Sequence, residues 1–115
     1  PVSSIFEYDW SLVYDYMGGK TLVTEGVGDY VGDDYQGNFE NPHQAYEFAW
    51  GIGNIISAVI GSGLILKRFN EYPYMNGWKR FPDMRSEYET RRNYTPDDKP
   101  LLPMMFSPVA QKPES

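Results

Sequence analysis

The chain contains no cysteine and a single histidine, His43. No disulfide framework or thiolate chemistry is available to it, and the lone histidine lacks the H-x-x-H or E-x-x-H spacing that a metal site needs. Basic side chains are scarce at first. Residues 1–50 carry nine carboxylates against Lys20 alone, whereas residues 51–115 carry nine basic and seven acidic side chains. An acidic first half argues against wrapping a phosphate backbone, because nucleic-acid affinity comes from lysine and arginine neutralising phosphates. No nucleic acid is therefore expected as a partner. Glu7, Asp9 and Asp15 interrupt any apolar leader core, which leaves the cytoplasm as the expected location. No internal repeat is visible. What the chain has in abundance is aromatic side chains, 17% of its residues, within an overall charge of −6 that suits a folded globular protein.

The most informative stretch is Asn54 to Pro73, NIISAVIGSGLILKRFNEYP. Ile55, Ile56, Val59 and Ile60 recur at helical spacing. Ser62-Gly63 supplies a left-handed stop, Leu64, Leu66 and Phe69 open a strand, and Pro73 ends it. The pattern predicts helix, tight turn, strand. Residues 48–66 carry no formal charge, close to the length of about 20 residues that crosses a bilayer. Gly61-Ser62-Gly63 would break such a rod, so a helix-turn-strand in a globular core is the reading preferred, with no membrane partner.

Tyr46-Glu47-Phe48, the helix to Ile60, Gly63-Leu64 and Glu71-Tyr72-Pro73 resemble the C-terminal part of class I S-adenosylmethionine-dependent methyltransferases. In that family an aromatic segment precedes a helix, a glycine-leucine turn, a strand and an "E-aromatic-P" exit. Upstream, Tyr16, Thr24-Glu25-Gly26 and Gly28-Asp29-Tyr30 look like further landmarks. Downstream, Pro100 to Ser107 looks like the closing strand, with Pro108 where the family usually carries leucine. The resemblance spans roughly residues 10–112. It implies an α+β chain forming the C-terminal portion of a Rossmann-like α/β enzyme, with antiparallel edge strands, one main helix and a small β hairpin. It also implies attack by an acceptor N, O or C atom on the methyl group of S-adenosylmethionine.

The cofactor-binding elements of that family are not in this sequence. A glycine-rich loop after a first strand and an acid at the end of a second are needed for close backbone approach to the cofactor. Gly51-Ile52-Gly53 is the nearest imitation, but Ile56 stands where a third glycine belongs. The chain alone is therefore expected to bind no cofactor. Its partners would be a small-molecule methyl acceptor and a missing N-terminal cofactor-binding half. A half-sheet cut from its neighbours is also expected to self-associate.

Three regions follow: an aromatic, acidic, cap-like segment over 1–45, the strand-helix-strand-arm-strand portion over 46–110, and a polar tail over 111–115. Trp10, Leu12, Tyr14 and Tyr16 alternate, giving either one strand or a loop. Thr21 to Thr24 and Tyr30-Val31 suggest a hairpin. Tyr46, Phe48 and Trp50 suggest a strand feeding the helix near Gly51; the alternative is one helix from Pro42 to Ser62, capped by Asn41. Tyr74 to Pro103 reads as a long irregular arm, and Met104 to Ala110 as a last strand that pairs antiparallel with Leu64 to Phe69.

Candidate chemistry is sparse, and no catalytic residue is assigned. Asp33-Asp34 reads as a solvated turn rather than a cation site. Aromatic side chains have apolar walls with polar tips suited to a pocket, though most of them are expected to fill a core. Tyr16, Tyr30, His43 and Trp50 are the candidate substrate-binding residues, with Tyr16 and the Thr24 to Tyr30 segment placed by the resemblance in a cap over the transfer site. The competing function is a noncatalytic ligand-binding or protein-interaction module that uses the Tyr74 to Pro103 arm as its contact surface.

Overall fold

A computed structural model of the chain describes residues 2–26 and 41–114. Helix α1 runs from Ile52 to Gly61, entered from Gly51 in an extended conformation. The break at Gly51 separates it from the preceding strand, so the continuous helix from Pro42 does not form. The exit is the glycine stop: Ser62 N–H donates to Ala58 O and Gly63 N–H to Ile60 O, both at 3.0 Å. Gly63 takes φ 82°, a left-handed value that a Cβ would penalise. Among the described residues, no helix is long and apolar enough to cross a membrane.

The chain turns from α1 directly into β3 (Ile65–Tyr72), which pairs antiparallel with the last strand, β7 (Met105–Gln111), from Ile65↔Gln111 to Tyr72↔Met105. A register shift between Leu66 and Arg68 re-aims the start of β3. One face carries Phe69 and Phe106, stacked at 5.5 Å. The other carries Tyr72, whose hydroxyl lies 3.2 Å from Ser107 Oγ and accepts from Asn70 Nδ2 at 3.4 Å. Those two contacts, Ser107 first, hold the Tyr72 phenol below its usual range.

The expected irregular arm is instead a three-stranded antiparallel sheet. Strands β4 (Tyr74–Asn76), β5 (Arg85–Glu87) and β6 (Arg92–Tyr94) lie in the order β4-β6-β5. Its strands have no apolar period, and cation–aromatic contacts supply part of the cohesion instead. Arg92 sits 4.3 Å from the Tyr74 ring, Arg85 5.0 Å from the Tyr94 ring, and the two tyrosines meet edge-on at 5.5 Å. Buried Asn93 ties the sheet together, donating to Trp78 O at 2.9 Å and accepting from Ser86 Oγ at 2.7 Å.

Three hydrophobic side chains among the described residues are fully buried: Phe81, Met84 and Met104. Phe6, Trp10, Met75 and Leu102 pack against them. The N-terminal segment thus covers the arm. Trp10 stacks on Phe81 at 3.8 Å with 18° between rings, its indole N–H donates to Asp83 at 3.0 Å, and Arg80 Nη2 donates to Phe6 O at 3.0 Å. Of the two readings for this segment the loop holds: a 3-10 turn over Val2–Ile5 is followed by a single bridge between Phe6 and Leu12. Asp9 shapes it by accepting from the Ser11 N–H at 2.9 Å.

Tyr14 closes the loop by donating to Glu7, and this bond raises its phenol above the ordinary value of 10.0. A raised folded-state value means that the contribution is complete below about pH 10 and is lost as pH rises through the folded value. Tyrosinate absorbance should show Tyr14 ionising late in an alkaline titration, and Glu7→Gln should return it toward the other tyrosines. An unchanged curve for that variant would count against the contact.

Strand β1 (Thr21–Thr24) pairs antiparallel with β2 (Ala45–Phe48), from Thr21↔Phe48 to Thr24↔Ala45. β1 thus takes a partner from the segment just before α1. The other half of the expected hairpin, Tyr30-Val31, lies outside the described residues. The architecture is α+β, with mostly antiparallel strands in small sheets and one helix among the described residues.

Candidate functional site

β2 is four residues of alternating character, and alternation sends successive side chains to opposite faces. Tyr46 and Phe48 share a face with Val23, the register partner of Tyr46 on β1. Trp50 follows two residues on, beyond the end of the strand. All four are open to solvent: Val23 48%, Tyr46 58%, Trp50 59% and Phe48 63% exposed. A two-stranded sheet is marginal in water by itself, and this one presents an uncovered aromatic face.

At the head of the row stands Glu25. Gln44 Nε2 donates to Glu25 Oε1 at 2.9 Å, and the Tyr46 hydroxyl donates to Gln44 Oε1 at 3.0 Å. The amide thus orients the carboxylate and is itself held by the first ring of the row. Glu25, Gly26, Asn41, Pro42, His43 and Gln44 line a cavity of about 380 Å³. Asn41 Oδ1 accepts from His43 N–H at 3.0 Å, fixing the turn that leads into β2.

The residues singled out from the sequence divide. His43 lines the cavity at the start of β2, and Trp50 lies beyond its far end, separated by roughly 20 Å of extended chain. The fold does not bring these two together. Tyr16 lies against Gly51 at the start of α1: a Cβ on Gly51 would meet the Tyr16 ring at 3.3 Å. Its hydroxyl accepts from the Ile52 N–H at 3.2 Å, so Tyr16 satisfies one of the free donors at the start of α1. Tyr30 and Asp33-Asp34 lie outside the described residues.

Gly51 has no side-chain cap of its own, which makes the Tyr16 contact the one that replaces it. Tyr16→Phe should leave the ring packing intact and cost about 1 kcal/mol, the usual net value of such a bond. Faster amide exchange at Ile52 with unchanged exchange in β7 is the expected signature. Equal exchange in the two proteins would show that the hydroxyl does not cap the helix.

Glu25 and Gln44 were not among the candidate residues, although parity offered a signal, since Gln44, Tyr46, Phe48 and Trp50 occupy one side of a single alternating run. The Gly51-Ile52-Gly53 imitation of a cofactor loop does not fit S-adenosylmethionine. Gly51 is buried against Tyr16, and the first amide of the helix is already taken by that side chain. No protein-family model, curated protein or solved structure matches the chain.

Proposed function

We propose that the chain is the C-terminal, acceptor-pocket-forming part of a Rossmann-like class I S-adenosylmethionine-dependent methyltransferase that acts on a small molecule. The observation that carries this reading is the pairing of β3 with β7. A helix enters β3 through Gly63, β3 leaves through Glu71-Tyr72-Pro73, and the strand that follows Pro100 to Pro103 returns antiparallel beside it. That order and orientation are those the sequence resemblance implies for the edge of the larger sheet. A second feature supports it: α1 has no buried residue, although Ile52, Ile55, Ile56, Val59 and Ile60 make one side of it apolar. Such a helix needs a cover that the described residues do not supply.

In this reading the donor is held by the missing N-terminal half of the enzyme, and among the described residues the glycine pair at the start of α1 has Tyr16 packed on Gly51 and bonded to the Ile52 N–H. This chain contributes the acceptor side: aromatic walls that exclude water and polar tips that align the acceptor. The complete polypeptide carrying these residues, supplied with methyl-labelled S-adenosylmethionine and a mixture of small amines, alcohols and acids, should pass label into a low-molecular-weight product. This chain alone should pass none. No transfer by the complete polypeptide, to any acceptor class, would overturn the reading.

A further inference from the structure

We propose that the aromatic face of the β1–β2 pair, headed by Glu25, binds an organic cation with an apolar body, an alkyl or aryl ammonium group. As an assignment of the methyl acceptor, this rests on the methyltransferase reading above and requires a primary, secondary or tertiary ammonium that first loses a proton to water. Its nitrogen lone pair then forms the N–CH3 bond as the S–CH3 bond breaks and the neutral thioether leaves. As a binding surface the face stands on its own geometry. Val23, Tyr46 and Phe48 form a row of exposed apolar area on one side of the pair, and exposed Trp50 follows two residues further along the chain. The carboxylate at its head is held in place by Gln44 and, through it, by the Tyr46 hydroxyl. Glu25 has no cationic partner among the described residues. The nearest lysine along the chain, Lys20, is engaged with Asp15 at 2.7 Å.

Charge decides between possible occupants. Glu47 stands on the reverse face of the same strand, so the pair carries Glu25 and Glu47 and no lysine or arginine between Thr21 and Phe48 among the described residues, His43 in the cavity beside Glu25 being the one imidazole. An anion would meet the Glu25 carboxylate and no lysine or arginine. A second copy of the chain laid face to face would bring Glu25 against its own equivalent with nothing to neutralise either. A cation meets a negative group and the negative faces of the Tyr46 and Phe48 rings, and its apolar body covers surface that is otherwise wet. An exposed cation–aromatic contact is worth roughly two- to fivefold in affinity, and a desolvated one about thirtyfold.

The test is calorimetric titration of the complete polypeptide with phenyltrimethylammonium, phenylacetate and phenethyl alcohol, which share an aryl body and differ in charge. The cation should bind at least about tenfold more tightly than the anion and about threefold more tightly than the alcohol. Glu25→Gln, nearly isosteric, should reduce the advantage over the alcohol to the part the rings supply, and Phe48→Ala should weaken the cation. Glu114→Gln, in the polar tail, should change nothing. The proposal is overturned if cation and anion bind alike, if none of the three binds, or if Glu25→Gln leaves the cation-to-alcohol ratio unchanged in a variant with unaltered melting temperature. Cation binding without methyl transfer would leave the surface standing and remove the methyltransferase reading; transfer without charge preference would do the reverse.

Discussion

Phe81→Ala is expected to remove about 3–5 kcal/mol, the usual cost of deleting a buried aromatic side chain. Phe81 is wholly inaccessible to solvent, touches Met84 and Met104, and is stacked by Trp10 at 3.8 Å. Neighbouring cores tolerate such a loss when other buried residues share the load, but here the cluster has three fully buried members. The damage should reach the N-terminal segment, because Trp10 would lose the ring it lies on and keep only its bond to Asp83. Urea unfolding followed by tryptophan emission should show a lower midpoint. Trp10→Ala should reproduce part of the loss, and the two changes together should cost less than their sum, because they remove the same contact. Additive losses would show that the stack contributes nothing beyond the two separate burials.

Gly18→Ala is the second large effect. A Cβ there would lie 2.3 Å from the Ala49 carbonyl oxygen, and the residue sits at φ 78°. The oxygen belongs to backbone, so it has no rotamer through which to escape. Left-handed backbone adds roughly 1–2 kcal/mol for a residue with a side chain, and overpacking adds about 1–3 kcal/mol. Gly19 provides the control: it has φ 87° but nothing within 4 Å of an added Cβ. Gly19→Ala should therefore carry the conformational cost alone, and the difference between the two variants isolates the clash. Since Ala49 lies between Phe48 and Trp50, Gly18→Ala should also disturb the aromatic row, whereas Gly19→Ala should not. Equal melting temperatures for the two variants would contradict the close approach of Gly18 to Ala49.

The legible parts of this fold are those in which a local period and a local stop coincide. Isoleucines at helical spacing followed by Ser62-Gly63 marked α1 and its end, and Leu64 to Phe69 and Met104 to Ala110 marked the two strands that pair. The three strands of the arm were not legible. Arg-Ser-Glu and Arg-Asn-Tyr are three-residue strands with no apolar alternation, and their cohesion comes from Arg92 on Tyr74, Arg85 on Tyr94 and the amide of Asn93. Long-range partners were equally hidden. Trp10 finds Asp83 across 73 positions, and Tyr16 caps a helix 36 positions away. No spacing rule reports such contacts.

Within the candidate site the sequence supplied the aromatic composition and the alternation of Tyr46, Phe48 and Trp50, but not the register that adds Val23 to their face. That register depends on β1 choosing β2, a pairing between segments separated by residues 25–44. Tyr16 was marked for a binding role and is found beside Gly51 with its hydroxyl on the Ile52 N–H at the start of α1. The acidic first half, read as a global exclusion of nucleic acid, acquires a local expression in the unpaired Glu25.

Equilibrium dialysis against labelled S-adenosylmethionine, run in parallel on this chain and on the complete polypeptide that contains it, tests the central claim most directly. Saturable micromolar binding is expected of the complete polypeptide and none of these residues alone, because the sequence lacks the glycine-rich loop and, among the described residues, Tyr16 occupies the helix start that comes nearest to one. Micromolar binding by this chain alone, or its absence in the complete polypeptide, would contradict it.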